Sequence, residues 1–321
     1  MNTFIPDYYS RFQCIAGRCP DSCCKEWAVD VDADTADYYR GLSGALGDRL
    51  REVLTSDNTM TITGGRCPMW RQDGLCRIHA ELGHDALCRT CRDFPRIRHE
   101  YEDFTELGLE LSCPEAARLI LTTEWDMPLP HASCDPDLDL LLQSRKAALD
   151  LLEDRRYSLP DALAIILIYA HHVQAALDGG ELPQLQADAY LKTAKRLPKN
   201  GDWNSLFGLF TQLEILTKEW KADLDVGPRH VRWSDALRAF ARYLILRYWL
   251  QAVSDLDLVC RVKLAVTACL LVGSLGGNPM ETAQLFSKEI ENDPDNVAAI
   301  LGGAYSAPAL TDQNLLSLLL S

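Results

Sequence analysis

The sequence predicts a mainly α protein, with an irregular cysteine-rich N-terminal region followed by a multi-helix C-terminal domain. Three observations carry that expectation. Ten of the twelve cysteines lie before residue 135. Residues 1–123 are dense in turn signals, whereas most of the chain after 137 repeats its apolar residues at helical spacing. Residues 124–137 (EWDMPLPHASCDPD) hold three prolines and read as a linker between the two parts, leaving 138–321 as the helical domain.

Taken in order, the chain opens as a loop through Cys24, followed by a short extended piece at 27–31. A helix is expected over 34–54, with Asp32 or Asp34 as its cap. Residues 59–63 are β-prone and end at Gly64-Gly65, which predicts a small hairpin. Pro114 and Glu115 suit the first turn of a helix entered from Ser112-Cys113. Beyond the linker, helices are expected at 138–152, 161–177, 206–220, 234–253, 256–275 and 281–290. Pro160, Gly179-Gly180, Pro198, Pro228 and Gly276-Gly277 separate them, and no repeat period is visible.

The composition, 47% hydrophobic and 24% charged over 321 residues, is that of an ordinary globular chain. A net charge of −14 argues against nucleic acid or a membrane surface as partner. The most apolar window, 264–275, is too short to span a bilayer. The start, MNTFIPDYYSRF, has neither a basic nor an apolar signal region, so a cytoplasmic location is expected. In that compartment, clustered cysteines point to metal binding rather than to disulfides.

The candidates fall into three groups. Cys14, Cys19, Cys23 and Cys24 form the first, and Cys67 and Cys76 the second. Cys88 and Cys91 form a C-x2-C clamp in the third, with Cys113 beyond. Soft thiolates at such spacing suit zinc or an iron–sulfur cluster. There are more of them than one site uses, so either some are not ligands or there are two sites. Cys113, at a helix N-terminus, is expected to be held as thiolate by the dipole. Arg18, Lys25, Arg66, Arg77, Arg92 and Arg96 flank the group and would compensate a negatively charged cluster. Cys134 sits in the linker, and Cys260 and Cys269 lie on opposite faces of an apolar helix; these three read as structural.

The run Cys14, Cys19, Cys23-Cys24-x2-Trp27, then Cys67-Pro68, Gly74-Leu75-Cys76-x-Ile78-His79, Cys91-x2-Phe94-Pro95-Arg96 and Leu111-Ser112-Cys113-Pro114-Glu115-Ala116-Ala117-Arg118 resembles the flagellin lysine-N-methylases of FliB type. It covers about residues 10–120. The resemblance implies a [4Fe–4S] cluster, with zinc as the alternative, and methyl transfer from S-adenosylmethionine to lysines of flagellin. It carries over Cys14, Cys19, Cys23, Cys24, Cys67, Cys76, Cys91 and Cys113 as metal-site residues, and makes no demand at Cys88.

Two common signatures are absent. No G-x-G-x-x-G follows a strand, and after Cys19-x3-Cys23 the next position of a radical C-x3-C-x2-C motif is Glu26. Methyl transfer would need a carboxylate to take the lysine proton, and Asp30, Asp32 and Asp93 are candidates. A sulfonium would suit a ring face, for which Trp27 and Trp70 are candidates. His79 and His84 lie near the cysteines, His79 as a donor to the cluster. The competing readings are a non-catalytic metal-binding or redox-sensing module and a structural zinc protein.

Overall fold

The computed structural model describes residues 2–321. The N-terminal part runs β1 (Asn2–Phe4), α1 (Asp7–Arg11), β2 (Val29–Asp30), α2 (Ala33–Gly41), α3 (Gly44–Val53), β3 (Thr59–Met60), α4 (Arg77–Leu82), α5 (Arg89–Asp93), β4 (Arg96–Glu100), β5 (Phe104–Leu109) and α6 (Pro114–Thr122). The rest is helical: α7 (Pro136–Glu153), α8 (Leu159–Leu177), α9 (Ala187–Ala194), α10 (Trp203–Phe210), α11 (Lys218–Val226), α12 (Asp235–Tyr248), α13 (Leu258–Ser274), α14 (Pro279–Phe286), α15 (Pro294–Gly303) and α16 (Asp312–Leu319). The mainly α class expected from periodicity is therefore the class observed.

Helix α13 explains the architecture. Every residue from Leu258 to Ser274 is buried, so it must be sheathed on all sides. Helices α8, α12, α14, α15 and α16 supply the sheath. Its two charged residues are neutralised at its N-terminal end: Arg261 pairs with Asp255 at 2.8 Å, and Lys263 with Asp312 at 3.1 Å. Helix α8 is long and apolar enough to cross a membrane by length and composition, and 61% of that stretch is buried inside the protein.

Two hydrophobic cores are present. The large one joins the helices to α6, Phe104 and Leu109 of β5, and Tyr8 of α1. In this sheet β5 pairs parallel with β1 and antiparallel with β4. Glu106 of β5 reaches across to Arg145 of α7 in a buried two-pronged pair, at 2.9 and 2.5 Å. The small core holds Val29, Val31, Ala36, Tyr39, Leu50, Met60, Met69 and Ile78, with Cys67 and Cys88 at its edge.

Several expectations change. The helix expected over 34–54 is two helices, broken at residues 42–43, with Gly44 at φ +82° opening the second. Asp32, not Asp34, is the cap of α2. The small hairpin expected at Gly64-Gly65 is present at its tip, where Thr63 and Arg66 exchange both backbone hydrogen bonds at 2.9 and 3.3 Å, while β3 pairs with β2 and Arg66 also bridges to Lys25. The segment 206–220 is interrupted after Phe210 and restarts at Lys218. The β4–β5 hairpin and helices α9, α15 and α16 carry no expectation from the sequence.

Candidate metal centre and the adjoining cavity

Backbone hydrogen bonds bring the separate cysteine groups together. The amide of Cys67 donates to the carbonyl of Cys24 at 2.8 Å, and that of Glu26 to Gly65 at 3.2 Å. The amide of Arg77 donates to Met69 at 2.7 Å, folding Cys76 back onto the Cys67 turn. The third group is tied to β2 and α2: Arg89 N–H donates to the Asp32 carboxylate at 2.8 Å, and Thr90 Oγ1 donates to the Asp30 carbonyl at 2.9 Å. Cys113 is the N-cap residue of α6, and Gln284 of α14 holds the neighbouring Ser112 carbonyl at 2.8 Å.

The thiols converge around Cys23. The charge of Cys23 reaches Cys19, Cys67, Cys76, Cys91 and Cys113; Cys14 acts on Cys19, and Cys24 feels Cys67 and Cys76. The eight cysteines singled out in the sequence share this neighbourhood. Cys88 shares it too, acting on Cys67 and Cys76. Cys134 is exposed, with its amide held by Asp103; Cys260 and Cys269 are buried in α13. All twelve are free thiols. Among the described residues, no three His, Cys, Asp or Glu side chains are set to hold one metal ion.

Backbone amides lie near several sulfurs, those of His79 and Ile78 by Cys76, Ala116 and Glu115 by Cys113, Met69 by Cys67 and Asp21 by Cys19, though none closes a cap hydrogen bond on Cys76 or Cys113. The amide dipoles favour the thiolate, but burial opposes it more strongly. Burial pushes Cys67 up to about 11 and Cys113 up to about 12, and raises Cys19 and Cys76. The helix terminus at Cys113 is therefore outweighed, contrary to expectation. Two sulfurs go the other way: the Cys24 thiol beside Cys23, and the Cys91 thiol beside Cys88, hold Cys23 and Cys88 below the ordinary thiol value while Cys24 and Cys91 are pushed above it.

The expected cations mostly have other partners. Arg66 stacks on Trp70 at 3.7 Å, Arg77 pairs with Glu81 at 2.7 Å, Arg92 with Asp93 at 3.6 Å, and Arg96 lies 5.4 Å over Phe12. The buried cation beside the loop is Lys288, which no local pattern singles out. Its side chain is 2% exposed and bridges Asp21 at 2.9 Å and Glu26 at 2.7 Å. Burial opposes its charge, yet Glu26 and Asp21 hold it above its ordinary value. Glu26 reaches it from a left-handed backbone at φ +68°. Helix α14 continues as a π-helical turn, Ser287–Glu291, and that turn aims Lys288 at the loop.

The other candidates have structural duties. Asp32 caps α2 through Thr35, and Asp30 accepts from Thr59 at 3.0 Å. Lys288 lies 5.4 Å over the ring of Trp27, so each candidate tryptophan already faces a cation of this chain. The rings of His79 and His84 stand 5.9 Å apart, edge to face. Between the loop and α14 lies a cavity of about 390 Å³, with Asp21 and Glu26 on one wall and Gln284 and Lys288 on the other.

No profile of a known protein family matches the chain. No solved structure matches it. Curated relatives do. It is 32% identical over 130 residues to the flagellar biosynthetic protein FliU of Salmonella muenchen, covering 36% of this chain and 75% of that protein. It is 32% identical to a lysine-N-methylase of Salmonella typhimurium and 31% to one of Salmonella choleraesuis, each over 130 residues. The shared stretch spans only 31% of each lysine-N-methylase. With three quarters of FliU covered and the cysteine run drawn into one neighbourhood, the chain belongs to the flagellin lysine-N-methylase (FliB-type) family.

Proposed function

We propose that this protein methylates lysine side chains of flagellin, using S-adenosylmethionine and a [4Fe–4S] cluster held by cysteines grouped around Cys23. The observation that carries this reading is the convergence of thiols from three separate segments in a relative of lysine-N-methylases. The donor set fits the group in kind. It consists of soft sulfurs in sites where burial makes an uncompensated thiolate costly and a bound cation would offset that cost. When bound, a cluster with one open iron would offer a Lewis-acidic seat for the amino and carboxylate groups of the donor.

The rest falls to the chain's own groups. The acceptor ammonium must lose its proton, and a carboxylate of the loop, Asp21 or Glu26, would take it. The freed nitrogen lone pair then attacks the methyl carbon. The carbon–sulfur bond breaks, its electrons stay on sulfur, and the products are a neutral thioether and a methylated ammonium. No oxidant or reductant is consumed. Alignment of methyl and nitrogen supplies much of the rate.

The test is anaerobic purification with iron, sulfide and zinc quantified, then methyl transfer from labelled S-adenosylmethionine to purified flagellin. Stoichiometric iron and sulfide with label on flagellin lysines is the expected result. Stoichiometric zinc in a colourless protein, with neither donor binding nor transfer, would favour the structural zinc reading.

A further inference from the structure

We propose that the cavity between the cysteine loop and α14 seats the side chain of the acceptor lysine, its ammonium drawn in by Glu219 and Glu281 at the rim. This rests on the methylase reading and adds the place where its substrate binds. The cavity of about 390 Å³ is large enough for a lysine side chain with flanking backbone. It is lined by four carboxylates, Asp21, Glu26, Glu219 and Glu281, against two ammonium groups, Lys25 and Lys288.

These charges are unevenly placed. Asp21 and Glu26 are engaged by Lys288 on the floor, at 2.9 and 2.7 Å. Glu219 and Glu281 are exposed, and no ion pair holds either among the described residues. The mouth is thus negative while the floor is balanced, a field that favours entry of a monovalent organic cation. Two lysines in the same cavity disfavour a divalent metal, and the carboxylate excess disfavours a phosphate. Met280 and Leu285 line the wall between mouth and floor and suit a methylene stem. The floor is built on Asp21 and Glu26, which flank Cys23 and Cys24, so a lysine seated here ends beside the thiol group.

The test is a calorimetric titration of the full-length holo-protein with the peptide acetyl-Gly-Lys-Gly-amide and its norleucine counterpart. The lysine peptide should bind, and the norleucine peptide should not. Replacing both rim carboxylates, Glu219→Gln with Glu281→Gln, should weaken lysine-peptide binding about five- to tenfold, since each exposed pair is worth up to roughly 1 kcal/mol. Affinity for S-adenosylmethionine should stay unchanged. Both sites are on the surface, so circular dichroism should show the wild-type fold. Equal binding of the two peptides, an unchanged affinity in the double variant, or a loss confined to S-adenosylmethionine would overturn the proposal. Wild-type protein that binds as expected but transfers no methyl group would sink the activity and leave the site; transfer with unaltered peptide binding in the variant would sink only the site.

Discussion

Cys76 lets three influences on a thiol be separated. Burial raises its proton affinity, the nearby amides of His79 and Ile78 lower it, and the charges of Cys23 and Cys88 raise it again. The sum lies above the ordinary thiol, so without a cation the proton stays, and a soft metal must displace it. Cys76→Ala and Cys91→Ala should therefore lose metal and lower the melting temperature of the cysteine-rich region. Cys260→Ala, buried in α13 away from the group, should keep its full metal content. Metal analysis of the three variants checks this, and full occupancy in Cys76→Ala would remove that ligand from the set. Asp32 supplies a second prediction. Arg89 N–H and the Thr35 hydroxyl hold its carboxyl down to about 2. The folded value lies below the unfolded value of about 4, so its stabilisation is present at neutral pH and is lost as pH falls between about 4 and about 2. Asp32→Ala should cost about 1 kcal/mol in urea unfolding at neutral pH, as loss of a helix cap does, and should flatten the acid limb over that window.

At the scale of elements, the pair between Arg145 of α7 and Glu106 of β5 fastens the sheet to the helical body. Both side chains are almost fully buried, with 1% and 5% exposed. Removing one partner strands the other, so Arg145→Met should destabilise by roughly 3–5 kcal/mol, while Arg145→Met with Glu106→Leu should recover most of it. Chemical denaturation of the single and double variants decides; equal losses would mean that packing, not charge, is at stake. Local signals were legible where they were strong. Helices α7, α8 and α13 match their apolar periods, and Pro136 and Pro160, read in the sequence as linker and break, lie in the first turns of α7 and α8. What the sequence hid was long-range. The break in 206–220 is held by the Glu289 carboxylate, which accepts from the amides of Leu216 and Thr217 at 2.8 and 2.9 Å. Glu289 lies more than seventy residues downstream, beyond the reach of any local pattern. The three cysteine groups were visible in the sequence, but the cavity was not, because its walls come from the loop, α6, α11 and α14.

Across the whole molecule, the π-helical turn after α14 is the joint between the two parts. Its five residues, Ser287 to Glu291, are all buried, and three of them carry charge in different directions. Lys288 holds the cysteine loop, Glu289 holds the α10–α11 connection, and Glu291 pairs with Arg247 of α12 at 3.1 Å and accepts from Tyr248 at 2.9 Å. A regular α-helix would place those side chains about 100° apart in turn, whereas the wider turn resets their directions, a common device at functional sites. Lys288 is the residue whose loss should separate the parts. Lys288→Met keeps the apolar stem but leaves Glu26 without its cation and Asp21 with Lys25 alone, at 3.5 Å. Those carboxylates are only partly buried, at 24% and 30% exposed, so water tempers the penalty to about 1–3 kcal/mol. That loss should fall on the loop and not on the helical core, whose buried apolar cluster does not include Lys288. Amide exchange should accelerate in residues 12–28 while α8 and α13 keep their protection, and limited proteolysis should cut first in that loop. Exchange that quickened equally in α13 would mean that the turn supports the core itself, and unchanged exchange in the loop would mean that its backbone bonds to Gly65 and Cys67 suffice to hold it.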